Sequence, residues 1–273
     1  MLIFLIVVAA LMVLIEKLWP GQELPTVRGW WLRILLVNLV QLGLVILAGY
    51  TWDRWMNAIS LFSISDSIGD IPAAALVYFV STFVYYFWHR VRHESRFFWR
   101  LCHQIHHSPR RIELLASFYK HPVEIFINSL ISAVLVYGIF GCSLTSAAIY
   151  TGITAVAEYF YHWNIRTPRW LGWIIQRPEA HRVHHQFGHH SQNYADLPLW
   201  DWIFGTLKNP KKSPERCGFD PEKEQRVVEM LIFRDVHKQP ALQSPTCFGC
   251  KKRWACAASQ VPSCSKTPHS LAS

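Results

Sequence analysis

The sequence predicts an all-α protein, a polytopic membrane helical bundle with a cytoplasmic helical cap that holds a histidine-rich site for two metal ions. Of its 273 residues, 51% are hydrophobic and 14% aromatic, and only 16% are charged, which is unlike an ordinary soluble domain. Several apolar runs approach the about 20 residues that a helix needs to cross a bilayer. Histidines cluster next to the ends of two of these runs. We therefore expect about four to five membrane spans.

Five segments are candidate spans, and we expect them near residues 2–18, 35–50, 71–88, 123–140 and 144–161. The first could be a secretory signal, but no Lys or Arg precedes its apolar run. An uncleaved first span is therefore the better interpretation.

Basic residues indicate how these spans are oriented. Lys17, Arg28 and Arg33 lie between the first and second spans, and many more follow the third, whereas the hairpin between spans four and five carries no charge. Short cytoplasmic loops carry an excess of Lys and Arg. We therefore expect the cap, residues 89–120 and 162–238, to be cytoplasmic. The net charge of +9 is largely explained by this topology and does not require nucleic acid, for which no motif is present.

Nine histidines follow helical spacing. Side chains three or four residues apart share one helix face, so each cluster presents imidazoles to a common point. With a rise of about 1.5 Å per helical residue, His89 and His162 reach the same depth in the membrane. The groups are His89 and His93; His103, His106 and His107; His181, His184 and His185; and His162 alone.

Imidazole is the commonest metal ligand in proteins, and nine imidazoles are too many for one ion. The count favours two metals with four or five nitrogens each. A single histidine at a membrane interface is usually just a polar group at headgroup level, and we assign that role to His237 and His269. The repeated HxxHH pattern is not explained in this way.

Five motifs carry a resemblance to a known family: "HRVRH", "HQIHHS", "FYKHPVE", "YHWNIRTPRWLGW" and "PEAHRVHHQFGHHSQNYADLPLWDWIFGT". Over about residues 75–236 the chain resembles the fatty acid hydroxylase and sterol desaturase superfamily of integral membrane di-iron oxygenases. The resemblance implies a histidine-ligated metal pair where a helical membrane domain meets a cytoplasmic cap. It also implies that the nine histidines named above are the ligands.

One ligand position stays open, because some relatives have two histidines in the penultimate motif, whereas here His162 is followed by Asn164. His189, Asn164, His121 or water could fill it. Acidic groups that could orient ligands by hydrogen bonds are Glu158, which lies one turn before His162, and Asp201, which matches a recurrent family position. Further candidates are Glu94, Glu179 and Asp196.

Chemistry favours two iron ions, although zinc can replace them in a purified protein. Zinc has no redox chemistry, whereas paired iron can reduce O2 and generate an oxidant for an unactivated C–H bond. We therefore expect hydroxylation of a fatty acyl, sterol or related membrane lipid. A desaturase with the same site is the first alternative, and a non-enzymatic zinc protein or metal transporter is the second.

The electrons must come from a separate donor. The sequence has no GxGxxG motif in a βαβ context and no CxxCH haem motif. The basic cytoplasmic surface would attract an acidic protein such as a cytochrome b5 or a ferredoxin.

Outside the site we make three further predictions. Residues 168–177 should form a helix on the membrane surface, and residues 221–233 should form another helix. Residues 239–273 should be a disordered tail, because they are rich in Ser and Pro and lack apolar periodicity. Its cysteines could form a zinc knot or be palmitoylated.

Overall fold

The computed structural model describes residues 2–56 and 59–240, and these residues contain helices and turns but no β-strand. The described residues up to Gln239 form one compact unit. The predicted all-α class is confirmed. The predicted tail lies outside the described residues, apart from Gln239 and Pro240.

Five long helices cover the five predicted spans. Their bounds are α1 Leu2–Leu18, α2 Trp30–Met56, α4 Asp70–Glu94, α7 Pro122–Ala133 with a π-helical continuation Val134–Ile139, and α8 Leu144–His162. Three windows in the described residues are long and apolar enough to cross a membrane: Trp30–Leu47, Asp70–Glu94 and Pro122–Ile139. Neither α1, with 17 residues, nor α8 is among them.

Shorter helices form the cap. They are α5 Arg96–Phe98, a π-helical turn Trp99–His103, α6 Gln104–His107, α9 Pro178–His184, α10 Pro198–Ile203, α11 Pro221–Glu224 and α12 Val227–Leu231, with 3-10 turns at Leu114–Ala116 and Arg169–Trp173; one more short helix, α3 Ile64–Ile68, lies outside the cap. The helix α3 belongs to the opposite end of the bundle, where Ser65 donates or accepts a bond with Ser146 at 2.7 Å.

Proline sets the start of α7 and of three cap helices. Pro122, Pro178, Pro198 and Pro221 each occupy the first turn of a helix. The ring fixes φ near its helical value, and the missing N–H would have had no partner there. These positions therefore fix where the cap helices begin, which in turn fixes the direction of the side chains that they carry.

The membrane helices pack through small and apolar side chains. Ala74 and Val77 of α4 are fully buried against Leu135 and Val136 of the α7 continuation and against Ala147 of α8. Small residues let the backbones of membrane helices approach closely. In contrast, only 11% of the Trp30–Leu47 window of α2 is buried, so most of the surface of this apolar helix makes no contact with the rest of the chain.

The end of α1 and the start of α2, which flank the first loop, pack onto the cap. Glu16 accepts bonds from the backbone N–H groups of Leu114 and Asn164, at 2.9 and 2.8 Å. Trp30 at the start of α2 donates to Glu113 at 2.6 Å. The first loop and the cap therefore lie at the same end of the bundle, as the charge pattern predicted, whereas the side of the membrane stays a prediction.

Two local expectations are wrong in detail. Residues 169–173 form a 3-10 turn rather than an α-helix, although Trp170 and Trp173 are exposed as a membrane-surface segment requires. Residues 221–233 form two short helices rather than one. The break falls at Arg226, whose guanidinium binds Glu229 and the carbonyls of Val236 and Gln239, so that the chain turns around this side chain.

Candidate metal centre

The first two histidines extend directly from a membrane helix. α4 continues without interruption from Asp70 to Glu94, so His89 and His93 lie one turn apart near its end. This spacing directs both imidazoles to the same side of the helix. Both side chains are half-buried beneath the cap.

The second cluster lies on a helix that changes its winding. A π-helical turn, Trp99–His103, runs into α6, Gln104–His107. π-helical turns are rare and are frequent at functional sites. His103 and His107 lie on one side of this segment, whereas His106 points to another. All three are buried.

The third cluster pairs the end of α8 with α9. His162 is the last residue of α8, while His181 and His184 lie on α9 and His185 follows as its C-cap. All four are buried, with at most 3% of their surface exposed. Sequence positions that are up to 96 residues apart, from His89 to His185, thus meet in one place.

The nine predicted histidines form two groups, and each group could hold a metal ion. Within a group, one ring nitrogen from each residue lies within 4.8 Å of those of the others. The five-histidine group contains His89, His93, His103, His107 and His184, and the four-histidine group contains His106, His162, His181 and His185.

The HxxHH motifs divide between the groups in opposite ways. In the first motif, His103 and His107 enter the five-histidine group and His106 enters the other. In the second motif, His181 and His185 enter the four-histidine group and His184 enters the other. Residues four apart share a face, whereas adjacent residues point about 100° apart on a helix. Each motif therefore serves both groups.

The distances fit metal ligation. Nε2 of His103 lies 3.1 Å from Nε2 of His89, 3.0 Å from that of His93 and 3.1 Å from that of His107. In the other group, Nε2 of His181 lies 3.2 Å from that of His162 and 3.1 Å from that of His185. Two nitrogens bound to one ion at about 2.1 Å, at an angle of about 95°, lie about 3.1 Å apart.

Backbone carbonyls hold several of the rings from the other side. His89 Nδ1 donates to the carbonyl of Tyr194, and His184 Nδ1 donates to the carbonyl of Gln192, both at 2.7 Å. His162 Nδ1 donates to the carbonyl of Glu158 at 2.9 Å. A carbonyl only accepts, so Nδ1 carries the proton and Nε2 keeps its lone pair. The buried Nε2 of His184 has no hydrogen-bond partner among the described residues. A metal ion fits such an orphaned donor atom.

Burial keeps the cap histidines neutral, and only neutral imidazole binds metal. Desolvation lowers the pKa of His184 to about 3, and it holds the pKa values of His107, His181 and His185 well below the usual range. Neighbouring imidazoles add to this effect, because a second positive charge close by would be repelled.

Two residues that we did not predict complete the support. Glu124, fully buried on α7, accepts a bond from His103 Nδ1 at 3.1 Å and forms an ion pair with Arg92 of α4. This ion pair orients the ring that lies closest to three other ligands. Glu124 follows the "HP" of the "FYKHPVE" motif, and an acidic residue in an apolar span was the available signal for it.

Asp201 acts through the loop that holds His89. Its carboxylate accepts bonds from the N–H groups of Tyr194 and Ala195, at 2.8 and 2.9 Å, and from Thr206 Oγ1 at 2.7 Å. In the same loop, Gln192 and Asn193 have positive φ, which costs energy for residues other than glycine. Asn193 offsets this cost by donating to Ala180 O and Lys208 O. This backbone conformation directs the carbonyl of Gln192 to His184 and the carbonyl of Tyr194 to His89.

The three residues that are candidates for a further ligand make other contacts in the structure. Asn164 Oδ1 accepts bonds from Arg182 and from the backbone of Gln22. His121 caps α7, since its Nδ1 accepts from Val123 N. His189 is exposed and lies next to Ser191 and Gln192.

The remaining acidic candidates have other partners. Glu94 forms an exposed pair with Arg90, and Glu179 binds Thr167 and Arg177. The carboxylate of Glu158 pairs with Lys120, so this residue holds His162 through its carbonyl and not through its carboxylate.

A cavity of about 650 Å³ connects the membrane helices to the histidines. Leu42, Val45 and Val136 contribute apolar walls, and His106, His162 and His181 lie on its lining. Polar side chains also line it, among them Lys120, Glu158 and Asp196. The cavity therefore joins apolar walls to the four-histidine group.

Comparison with known proteins agrees with this geometry. The fatty acid hydroxylase family model matches residues 74–206. The chain is 27% identical to methylsterol monooxygenase 2-2 of Arabidopsis thaliana over 213 residues, which are 72% of this chain and 75% of that protein. It is 30% identical to alkylglycerol monooxygenase of Xenopus tropicalis over 135 residues, 48% of this chain and 29% of that protein.

A third relative is the sphingolipid C4-hydroxylase sur2 of Schizosaccharomyces pombe. It is 26% identical over 145 residues, which are 50% of this chain and 50% of that protein. No solved structure gives a significant match. The family match begins on α4 and ends after α10, and therefore includes all nine histidines and the loop that Asp201 holds.

Proposed function

We propose that this chain, which belongs to the fatty acid hydroxylase family, is an integral membrane enzyme that hydroxylates a C–H bond of a lipid with O2 and external electrons. Its relatives carry names of lipid monooxygenases and hydroxylases. The lipid would be a fatty acyl, sterol or related molecule. In the overall reaction one oxygen atom enters the C–H bond, and two electrons and two protons reduce the other to water.

One observation carries the proposal: two groups of histidine nitrogens lie at the end of a cavity whose walls come from apolar membrane helices. A metal transporter places its ligands near the middle of the bilayer with access from both sides, whereas these histidines lie at the cap ends of α4 and α8.

The residues fit two iron ions. His89, His93, His103, His107 and His184 would hold one ion, and His106, His162, His181 and His185 would hold the other. A bound iron pair would supply the redox chemistry that activates O2, which zinc cannot do. The protein keeps the imidazoles neutral, orients their Nε2 atoms and surrounds the lipid chain with side chains that exclude water.

We place the centre on the cytoplasmic side. The loop between α1 and α2, with Lys17 and Arg28, packs at the same end as the cap, and short basic loops favour the cytoplasm. Electrons would come from a separate acidic donor such as a cytochrome b5 or a ferredoxin. Long-range attraction by the basic surface would then speed its binding at low salt.

Metal analysis and isotope labelling test the function. Protein purified after growth with iron should contain close to two irons per chain, and lipid oxidised under 18O2 should carry the label. Zinc alone after iron-replete growth would contradict the proposal. An oxidised lipid that has gained a double bond but no label would identify a desaturase instead.

A further inference from the structure

The cavity has one charged pair in its wall that does not hold a histidine. Lys120, which precedes α7, donates to Glu158 of α8, and both side chains line the cavity. Their side chains are only 10% and 19% exposed. Asp196, from the loop that follows Tyr194, lies on the same lining.

A charged pair in this position is costly. Removing two charges from water often costs more than their attraction returns, and ionisable groups within membrane helices are usually functional. Stability therefore does not explain the pair. Support of the metal ligands does not explain it either, because His162 is held by the backbone carbonyl of Glu158 and His103 is held by Glu124.

The pair has unused hydrogen-bonding capacity. An ammonium group has three N–H donors, and within the described part of the chain Glu158 is its one hydrogen-bond partner. The Lys120 ammonium also lies 5.8 Å from the ring of Phe118. Glu158 has a second carboxylate oxygen that can accept. A group that both donates and accepts can therefore bridge Lys120 and Glu158.

The charges around the pair select against an anion. The lining carries three carboxyl side chains, Glu124, Glu158 and Asp196, and two basic ones, Lys120 and Arg92. Arg92 is engaged with Glu124. A lipid carboxylate would compete with Glu158 for one ammonium and would face the other carboxyl groups, whereas a neutral hydroxyl would satisfy both partners.

The pair lies close to the four-histidine group. Glu158 precedes His162 by one helical turn, which is about 6 Å. Lys120 directly precedes His121, the N-cap residue of helix α7. Leu42, Val45 and Val136 form apolar walls of the same cavity. A lipid that binds its polar group at Lys120 and Glu158 therefore places nearby carbons at the histidines and its hydrocarbon part among the membrane helices.

We propose that Lys120 and Glu158 bind a neutral hydroxyl group of the lipid, so that the substrate is a hydroxyl-bearing lipid oxidised within a few bonds of that hydroxyl. This inference rests on the proposed function and adds the substrate class to it. Free fatty acids, and lipids whose only polar group is far from the reacting carbon, are then poor substrates.

Matched lipids test the inference without any mutation. Binding of a methylsterol and of an alkylglycerol to the metal-loaded wild-type protein in nanodiscs is compared with binding of their O-methyl ethers and of palmitic acid, in the absence of O2. Loss of a hydrogen bond to a charged group should weaken binding about tenfold or more for the ethers. Equal binding of each hydroxyl lipid and its ether would overturn the inference.

Variants then locate the contact. Lys120→Gln should remove the discrimination between hydroxyl lipid and ether and should raise KM about tenfold, with kcat and iron content near wild type. Lys120→Arg should restore most of the discrimination, and Thr154→Ala, elsewhere on the lining, should leave it intact. Full discrimination in folded Lys120→Gln protein would overturn the assignment.

The two levels of proposal fail differently. If iron-loaded protein oxidises no lipid, the hydroxylase function is wrong, whatever the binding assay gives. If it oxidises free fatty acids and O-methyl ethers as well as hydroxyl lipids, the hydroxylase function stands and the hydroxyl contact is wrong.

Discussion

The two histidine groups differ in the number of their nitrogens and in their surroundings. The five-histidine group is held from outside by Glu124 and by the carbonyls of Tyr194 and Gln192. The four-histidine group has one donor fewer, and His106, His162 and His181 face the cavity. Only His89 and His103 of the larger group do so.

This difference indicates a division of labour. A group with five oriented protein donors leaves little room for other ligands, whereas a group with four donors beside a cavity can accept an exogenous one. We therefore infer that lipid and O2 approach from the four-histidine side. By the same inference, the five-histidine group would mainly retain and position its metal ion.

The largest effect should come from removing a ligand. His107→Ala or His184→Ala should abolish lipid oxidation and lower the iron content, because each removes one donor from the five-histidine group. Oxidised lipid and iron per chain are measured on protein purified from membranes. The matched control is His189→Ala, an exposed histidine outside both groups. Activity retained in either ligand variant would contradict the assignment.

A smaller loss should follow from Glu124→Gln. Removing a group that orients a ligand typically costs about 10–100-fold in activity or metal affinity. The variant also leaves Arg92 buried without a charged partner, so the free energy of unfolding should fall by about 3–5 kcal/mol. Turnover, iron retention against a chelator and thermal unfolding are measured.

Glu179→Gln is the control for this variant. Glu179 is a buried carboxylate that binds Thr167 and Arg177 rather than a histidine. The Glu179→Gln variant should be less stable than the wild type but should keep its iron. If both variants lose iron equally, the contact of Glu124 with His103 is not specific support.

Asn164→Ala should affect stability and not metal binding. Its amide bonds Arg182 and both backbone groups of Gln22, and the loss of such bonds costs about 1–3 kcal/mol. Iron content and the optical spectrum of the metal centre should stay as in wild type. A loss of iron would show that Asn164 is a ligand of the four-histidine group, and would make the two groups equal.

The smallest effect is a pH dependence at the cavity. Burial raises the pKa of Asp196 to about 7, whereas a free Asp has a pKa near about 3.9. The folded state therefore binds the proton more tightly. The stability that this proton contributes is present below about pH 4 and is lost as the pH rises through about 7.

Asp196→Asn should remove this dependence. Relative to wild type, the variant should be more stable at pH 8 than at pH 5, as measured by thermal unfolding of the purified protein. Asp70→Asn, at the opposite end of the bundle, where the carboxylate accepts bonds from Ser143 and Ser146, is the control. If the change in thermal stability between pH 5 and pH 8 is the same in the variant as in wild type, Asp196 ionises in the fold as it does in the unfolded chain.

The sequence predicted that nine histidines come together, whereas the groups that hold their rings from outside were missed. Helical spacing and the apolar runs were enough to identify nine histidines and the helices that carry them. Arg92 and Glu124 were missed, because they meet across a separation of 32 residues and no local pattern pairs them. The carbonyls of Tyr194 and Gln192 were missed since every residue has a carbonyl, and only the backbone conformation aims one at a ring.

By itself the sequence determined the number of imidazoles and which of them share a helix face. These properties follow from residue type and from a repeat of 3.6 residues per turn. Only the tertiary structure decided that the HxxHH motifs cross between the groups, that the groups contain five and four residues, and that the smaller one meets the cavity. The relative placement of α4, α6, α8 and α9 sets these features, and it depends on packing and buried polar contacts between distant segments.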